Sequence, residues 1–308
     1  MTTTQYRRID VHHHVFPPAY VKVVNGTPSW SPEQSIELMD ANKIARAMMS
    51  VSTDVEVEND IDATVKLART CNEYTAAMVQ DHEDRFGMFA ALPMCDMDAA
   101  IREVDYAFDT LSADGVGLVT NYGDKHLGDP FFDPLLAHLN RRKAAVFVHP
   151  TTCSCTPGHP DMPAPMLEFP FDTTRTIISL LLARAYTKYK DIKFIFCHGG
   201  GTIAFLAYRV DRMLRGQAAM AEYSDIDIRA ALRGMYFDLT TAVSPPMFQA
   251  ILDIAPIEKL LFGTDFPFVS GWRVEAFMED FEALLLTGDD VEKIEFRNAR
   301  ALFPRLAP

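Results

Sequence analysis

The run Arg8-Ile9-Asp10-Val11-His12-His13-His14 starts apolar and ends in three imidazoles. On an extended chain residues two apart point the same way, so His12 and His14 share a face, Asp10 precedes them on it, and His13 points elsewhere. Three more apolar runs end in His or Asp: Phe147-Val148-His149-Pro150, Phe196-Cys197-His198 followed by Gly199 to Gly201, and Phe262-Gly263-Thr264-Asp265-Phe266-Pro267. Similar runs rich in β-branched and aromatic residues fill the gaps, at Ala45 to Val51, Phe86 to Leu92, Gly115 to Val119 and Met235 to Leu239, which makes eight candidate strands. Helical periodicity marks Pro32 to Asn42, Asp60 to Asp81, Met97 to Leu111, Pro130 to Lys143, Thr173 to Tyr189, Ile203 to Gly216, Asp227 to Arg233 and Pro246 to Ile254. Strand followed by helix, with strands apolar on both faces, predicts an α/β fold of the (β/α)8 TIM-barrel type over residues 1–308 as one domain. An open doubly wound sheet is the alternative.

The length of 308 residues suits such a barrel. Thr151 to Phe171, with five prolines, reads as a long functional loop after the fifth strand, and Asp290 to Leu302 as a terminal helix on the barrel floor or side. The net charge of −13 and the lack of a basic stripe exclude nucleic acid as an expected partner. No stretch approaches a membrane span, no secretory signal opens the chain, and the five cysteines lack C-x-x-C spacing. Reduced thiols in the cytoplasm are the expectation.

In a (β/α)8 barrel the reactive groups stand at the C-terminal ends of the strands. His12, His14, His149 and Asp265 would meet there as an N3O set that suits one divalent ion, Zn²⁺ first, with Mn²⁺ also accommodated. Each residue has a plainer reading: His149 as a hydrogen-bonded core histidine, Asp265 as a helix cap, His198 as a cap of the Gly199 to Gly201 turn. Their coincidence at one rim favours the metal. Arg175 could bind a carboxylate, or pair with Asp172 capping a helix; Arg209 could equally be a surface ion-pair partner of Asp211. Phe16, Trp30, Phe169, Phe171 and Phe266 are candidate walls of a flat apolar pocket.

Ile9-Asp10-x-His12-x-His14, Val148-His149-Pro150, Cys197-His198-Gly199-Gly200-Gly201 and Phe262-Gly263-Thr264-Asp265-Phe266-Pro267, in this order, resemble the amidohydrolase superfamily and specifically its decarboxylase branch. The stretch Phe171-Asp172-Thr173-Thr174-Arg175 and the Trp30 region look closest to 6-methylsalicylate decarboxylases. The resemblance implies a metal-dependent, non-oxidative decarboxylase of a small ortho-hydroxy aromatic acid. In such a reaction, protonation of the carboxyl-bearing ring carbon precedes loss of CO₂. It implies Asp265 as the acid and His198 as the group that holds the reacting oxygens. It implies Arg175, Arg209, Trp30, Phe16, Phe171 and Phe266 around the substrate, and a homodimer or dimer of dimers in which Arg209 enters the neighbouring pocket. Two departures bear on this. The fourth strand ends Leu118-Val119-Thr120-Asn121, without the lysine that bridges two metals in binuclear relatives, which favours one ion. The context Pro28-Ser29-Trp30-Ser31-Pro32 lacks the arginine of aminocarboxymuconate-semialdehyde decarboxylase, which argues against that acyclic diacid. A hydrolase or hydratase of the same branch, of lactonase or oxalomesaconate hydratase type with His198 as base, is the rival enzyme reading; a catalytically idle barrel that binds through its Pro-rich loop is the non-enzymatic one.

Overall fold

The computed structural model describes residues 7–154, 158, 161–269, 272–284 and 286–306. Eight parallel strands pair in sequence order: β1 (Arg8–His14), β2 (Ile44–Ser50), β3 (Phe86–Ala90), β4 (Gly115–Val119), β5 (Ala145–His149), β6 (Lys193–Phe196), β7 (Tyr236–Asp238) and β8 (Leu260–Leu261). The ring closes where Val11 N–H donates to Phe262 O at 3.0 Å and Asp265 N–H to His12 O at 2.7 Å. The fold is therefore a (β/α)8 barrel, as the alternation predicts, and the open sheet is excluded.

The helices that follow the strands are α1 (Pro32–Ala41), α2 (Ile61–Asp81), α3 (Met97–Asp109), α4 (Asp133–Arg141), α5 (Glu168–Leu182), α6 (Ile203–Gly216), α7 (Pro245–Ile254) and α8 (Trp272–Glu282). Asp60 and Asp96 open α2 and α3 by accepting the N–H of Ala63 and Ala99, the usual remedy for unpaired first-turn amides.

Three boundaries differ from the sequence reading. Helix α5 begins at Glu168, inside the Pro-rich stretch, because Pro170 falls in its first turn where no N–H is needed. The helix at Ile228–Gly234 precedes β7 as an extra element, while α8 was not read from sequence at all. The C-terminal segment is broken into Gly288–Glu292, a wider turn at Lys293–Arg297 and Asn298–Leu302.

That segment forms the floor. Phe296, Leu302, Phe303 and Leu306 pack against Ile9, Val11, Phe89, Phe147 and Ile195 inside the barrel, each large side chain contributing about 1.5–3 kcal/mol by burial. With the bottom filled, the opposite mouth is left for chemistry. Cys71, Cys95 and Cys197 are free, whereas Cys153 is in a disulfide. This corrects the expectation of reduced thiols throughout, since an odd count leaves room for a disulfide beside free thiols. Among the described residues no helix is long and apolar enough to cross a membrane.

Candidate metal centre and substrate cavity

Asp10 sets the geometry of the mouth. Its Oδ1 accepts the N–H groups of His12 and Thr264, each at 3.0 Å, and its Oδ2 accepts Thr264 Oγ1–H at 2.6 Å and His13 Nδ1–H at 2.9 Å. One buried carboxylate thus ties the end of β1 to the segment after β8. Asp265, in the left-handed region at φ 61°, is held against the imidazoles of β1. His14 Nε2 lies 3.0 Å and His12 Nε2 3.3 Å from Asp265 Oδ1, and His198 Nε2 lies 3.5 Å from Oδ2. The rings of His12 and His14 stand 5.3 and 4.8 Å from that of His149.

These residues fit a cation. One donor atom each from His12, His14, His149 and Asp265 lies within 4.8 Å of the others. His12 Nε2 and His149 Nδ1 are buried without a hydrogen-bond partner, a costly state for a polar atom that coordination would relieve. The far nitrogens are anchored, as metal-binding imidazoles require: His12 Nδ1–H donates to Asp238 Oδ2 at 3.0 Å and His14 Nδ1–H to Ser50 O at 3.3 Å.

The electrostatics agree. Burial alone would raise the Asp265 carboxyl, but the charge of His12 and the close approach of His14 and His198 outweigh it and hold the group well below its ordinary value. Burial and the neighbouring His14 and His12 push His149 well below the usual imidazole value, leaving its lone pair free. Burial lowers His12 too, yet the Cys197, Asp238 and Asp265 charges prevail and raise it.

Asp238 escaped the sequence reading. It is fully buried at the end of β7, and besides His12 it accepts, through Oδ1, the N–H groups of His198 and Thr240 at 3.0 Å each. The signal was available: Tyr236-Phe237-Asp238-Leu239 places a carboxylate inside an apolar strand at the reactive rim.

A cavity of about 480 Å³ opens above the cluster, lined among others by His149, His198, Asp265, Phe169, Phe268 and Arg273. Of the aromatic residues read as walls, only Phe169 lines it. Phe16 is buried behind Phe268, with ring centroids 5.7 Å apart. Trp30 packs on Phe16 and donates Nε1–H to Ser35 Oγ at 2.8 Å. Ser35 in turn reaches His13 Nε2 at 2.9 Å, so Trp30 braces the wall from behind. Phe266 lies over His13 and Phe171 is partly exposed on α5.

Arg175, read from sequence as a carboxylate-binding group, falls outside the cavity. Arg175 lies 3.9 Å from Asp172, whose carboxylate is already engaged by His126 and Asn121 rather than capping a helix. Arg209 is exposed on α6. Among the described residues lining the cavity, Arg273 is the one Lys or Arg. Gly199 to Gly201 all have positive φ. A Cβ on Gly201 would collide with Pro170 O, so this glycine serves close packing of the His198 turn against α5, while Gly199 and Gly200 abut Ile251 and Phe237.

The chain matches the Amidohydrolase family over residues 9–305. A decarboxylase of Aspergillus niger is 36% identical over 324 residues, which cover 97% of this chain and 88% of that protein. A 6-methylsalicylic acid decarboxylase of Penicillium expansum is 33% identical and covers 97% of each chain. A dihydroxybenzoic acid decarboxylase from Polaromonas, solved with bound manganese, superposes with a TM-score of 0.83 at 19% identity over 98% of both chains, and so shares the fold. A family match across nearly the whole chain, with the donor cluster at the barrel mouth, shows that the protein belongs to the Amidohydrolase family.

Proposed function

We propose that the protein is a metal-dependent, non-oxidative decarboxylase of a small ortho-hydroxy aromatic carboxylic acid of the 6-methylsalicylate kind. The observation that carries this reading is the pair of unpartnered imidazole nitrogens in a His3Asp cluster beneath a largely apolar cavity. The activity of the relatives named above agrees with it. A divalent ion held by His12, His14, His149 and Asp265, Zn²⁺ or Mn²⁺, would supply Lewis-acid polarisation of the substrate's oxygens.

The chain's own groups supply the rest. Conversion of an aryl carboxylate and a proton into the arene and CO₂ needs one proton placed on the ring carbon. Asp265 is assigned that delivery as general acid. Its neighbours hold it ionised, so it must be recharged. His198, 3.5 Å from Asp265 Oδ2 and with 16% of its side chain exposed, is placed between the carboxylate and solvent to do so. Arg273 offers the substrate carboxylate a counter-charge, and Phe169 and Phe268 flank a planar ring. The test is CO₂ release from 6-methylsalicylate by protein of known metal content.

A homodimer belongs to the same reading. On the outer face of α6, Phe205 is 59% and Tyr208 72% exposed, beside Arg209 and Arg212. Apolar rings left in water at that spacing suit burial against a second copy. Phe205→Glu combined with Tyr208→Glu is expected to halve the mass measured by sedimentation while the far-ultraviolet dichroism stays native; a wild-type monomer at micromolar concentration would end the dimer reading.

A further inference from the structure

A second, much smaller cavity lies beside the first, between the ends of β2, β3, β4 and β5. Thr53 and His149 line both. Val51, Leu92, Val119 and Phe147 make its apolar walls, and its free volume of about 10 Å³ has room for a single water-sized group.

Its polar end is made by Asp54 and Tyr122. Tyr122 Oη accepts the N–H of Val119 at 3.1 Å, and no described residue accepts its own O–H. The Asp54 carboxylate accepts a hydrogen bond from its own backbone, and no other described side chain donates to it. Burial, and the Glu56 charge behind it, push that carboxyl above its ordinary value. The niche therefore holds one free donor, the Tyr122 O–H, and a carboxylate with lone pairs to spare, which together complement a hydroxyl group, itself both donor and acceptor.

We propose that this niche is a substituent subsite that takes a second hydroxyl group on the substrate ring and excludes a second carboxylate. A methyl group fits the volume but gives the Tyr122 O–H no acceptor and the Asp54 carboxylate no further donor. A carboxylate exceeds the space and meets the like charge of Asp54. The inference rests on the decarboxylase reading for its substrate, and within that class it makes a dihydroxylated ring the preferred one.

The test measures kcat/KM for salicylate and its 3-, 4-, 5- and 6-hydroxy derivatives with the metal-loaded wild type, Asp54→Leu and Tyr122→Phe. One hydroxy isomer is expected to exceed salicylate by on the order of tenfold or more, and both variants to bring that ratio close to one. No preferred isomer in the wild type, or a preference that survives both substitutions, overturns the proposal. Should no acid release CO₂, the decarboxylase reading fails separately. The niche is then tested in the wild type by calorimetry with phenol, catechol, resorcinol and hydroquinone: about tenfold tighter binding of one diol supports it, and equal binding of all four overturns it. The same calorimetry decides the matter if the variants do not fold.

Discussion

Asp265→Asn is expected to lower the rate of CO₂ release by roughly 10²–10⁴-fold, the usual contribution of a positioned general acid. The amide keeps the shape of the carboxylate and its place between His12, His14 and His198, but it carries no transferable proton. Asp265 also belongs to the donor cluster, so the rate must be read at saturating metal and normalised to bound metal. A loss that disappears on normalisation assigns Asp265 to binding alone and removes it as the acid. The left-handed backbone at this residue is tolerated by Asn as well as by Asp, so the barrel should remain folded, as thermal unfolding will report.

The second large effect is expected from a residue far less visible in the sequence. Asp238→Asn should weaken metal affinity by about 10- to 100-fold, the range for groups that orient a metal-binding histidine from behind. Three donors face the two Asp238 oxygens: His12 Nδ1–H on one side, and the N–H groups of His198 and Thr240 on the other. A carboxylate accepts all three. An amide has a single oxygen, so its NH₂ must face either the backbone pair or the imidazole. In the second case His12 can accept the amide proton at Nδ1 only in the tautomer that puts hydrogen on Nε2, where the lone pair should be. Chelator competition measures the change; unaltered affinity, together with an unaltered rate, would show that His12 needs no such anchor.

The first strand was legible in part: alternation puts His12 and His14 together, whereas Asp10, read on their face, bonds the His13 side chain instead, because the strand's register shifts between Asp10 and His13. The rim was legible for a related reason: strand-end positions in a barrel converge whatever the loops do. Rotation about a helix or loop was harder to read from the sequence. Phe16 and Trp30 were aromatic and near the mouth, yet Phe268 comes between them and the cavity. Arg175 sits two turns into α5 and lies near a buried carboxylate there, while Arg273 stands on α8, the helix that sequence periodicity did not reveal. Asp238 was obscured by the shortness of β7, and the Asp54 and Tyr122 niche by the distance in sequence between its two polar groups.

Incubating protein of measured metal content with 6-methylsalicylate and a panel of other ortho-hydroxybenzoates, and following CO₂, tests the central claim most directly. The account predicts release that is abolished by chelation, restored by Zn²⁺ or Mn²⁺, and lost in His12→Ala. Stoichiometric metal with no release from any acid of the panel would contradict it, and would turn attention to lactones and unsaturated diacids as substrates of a hydrolytic site.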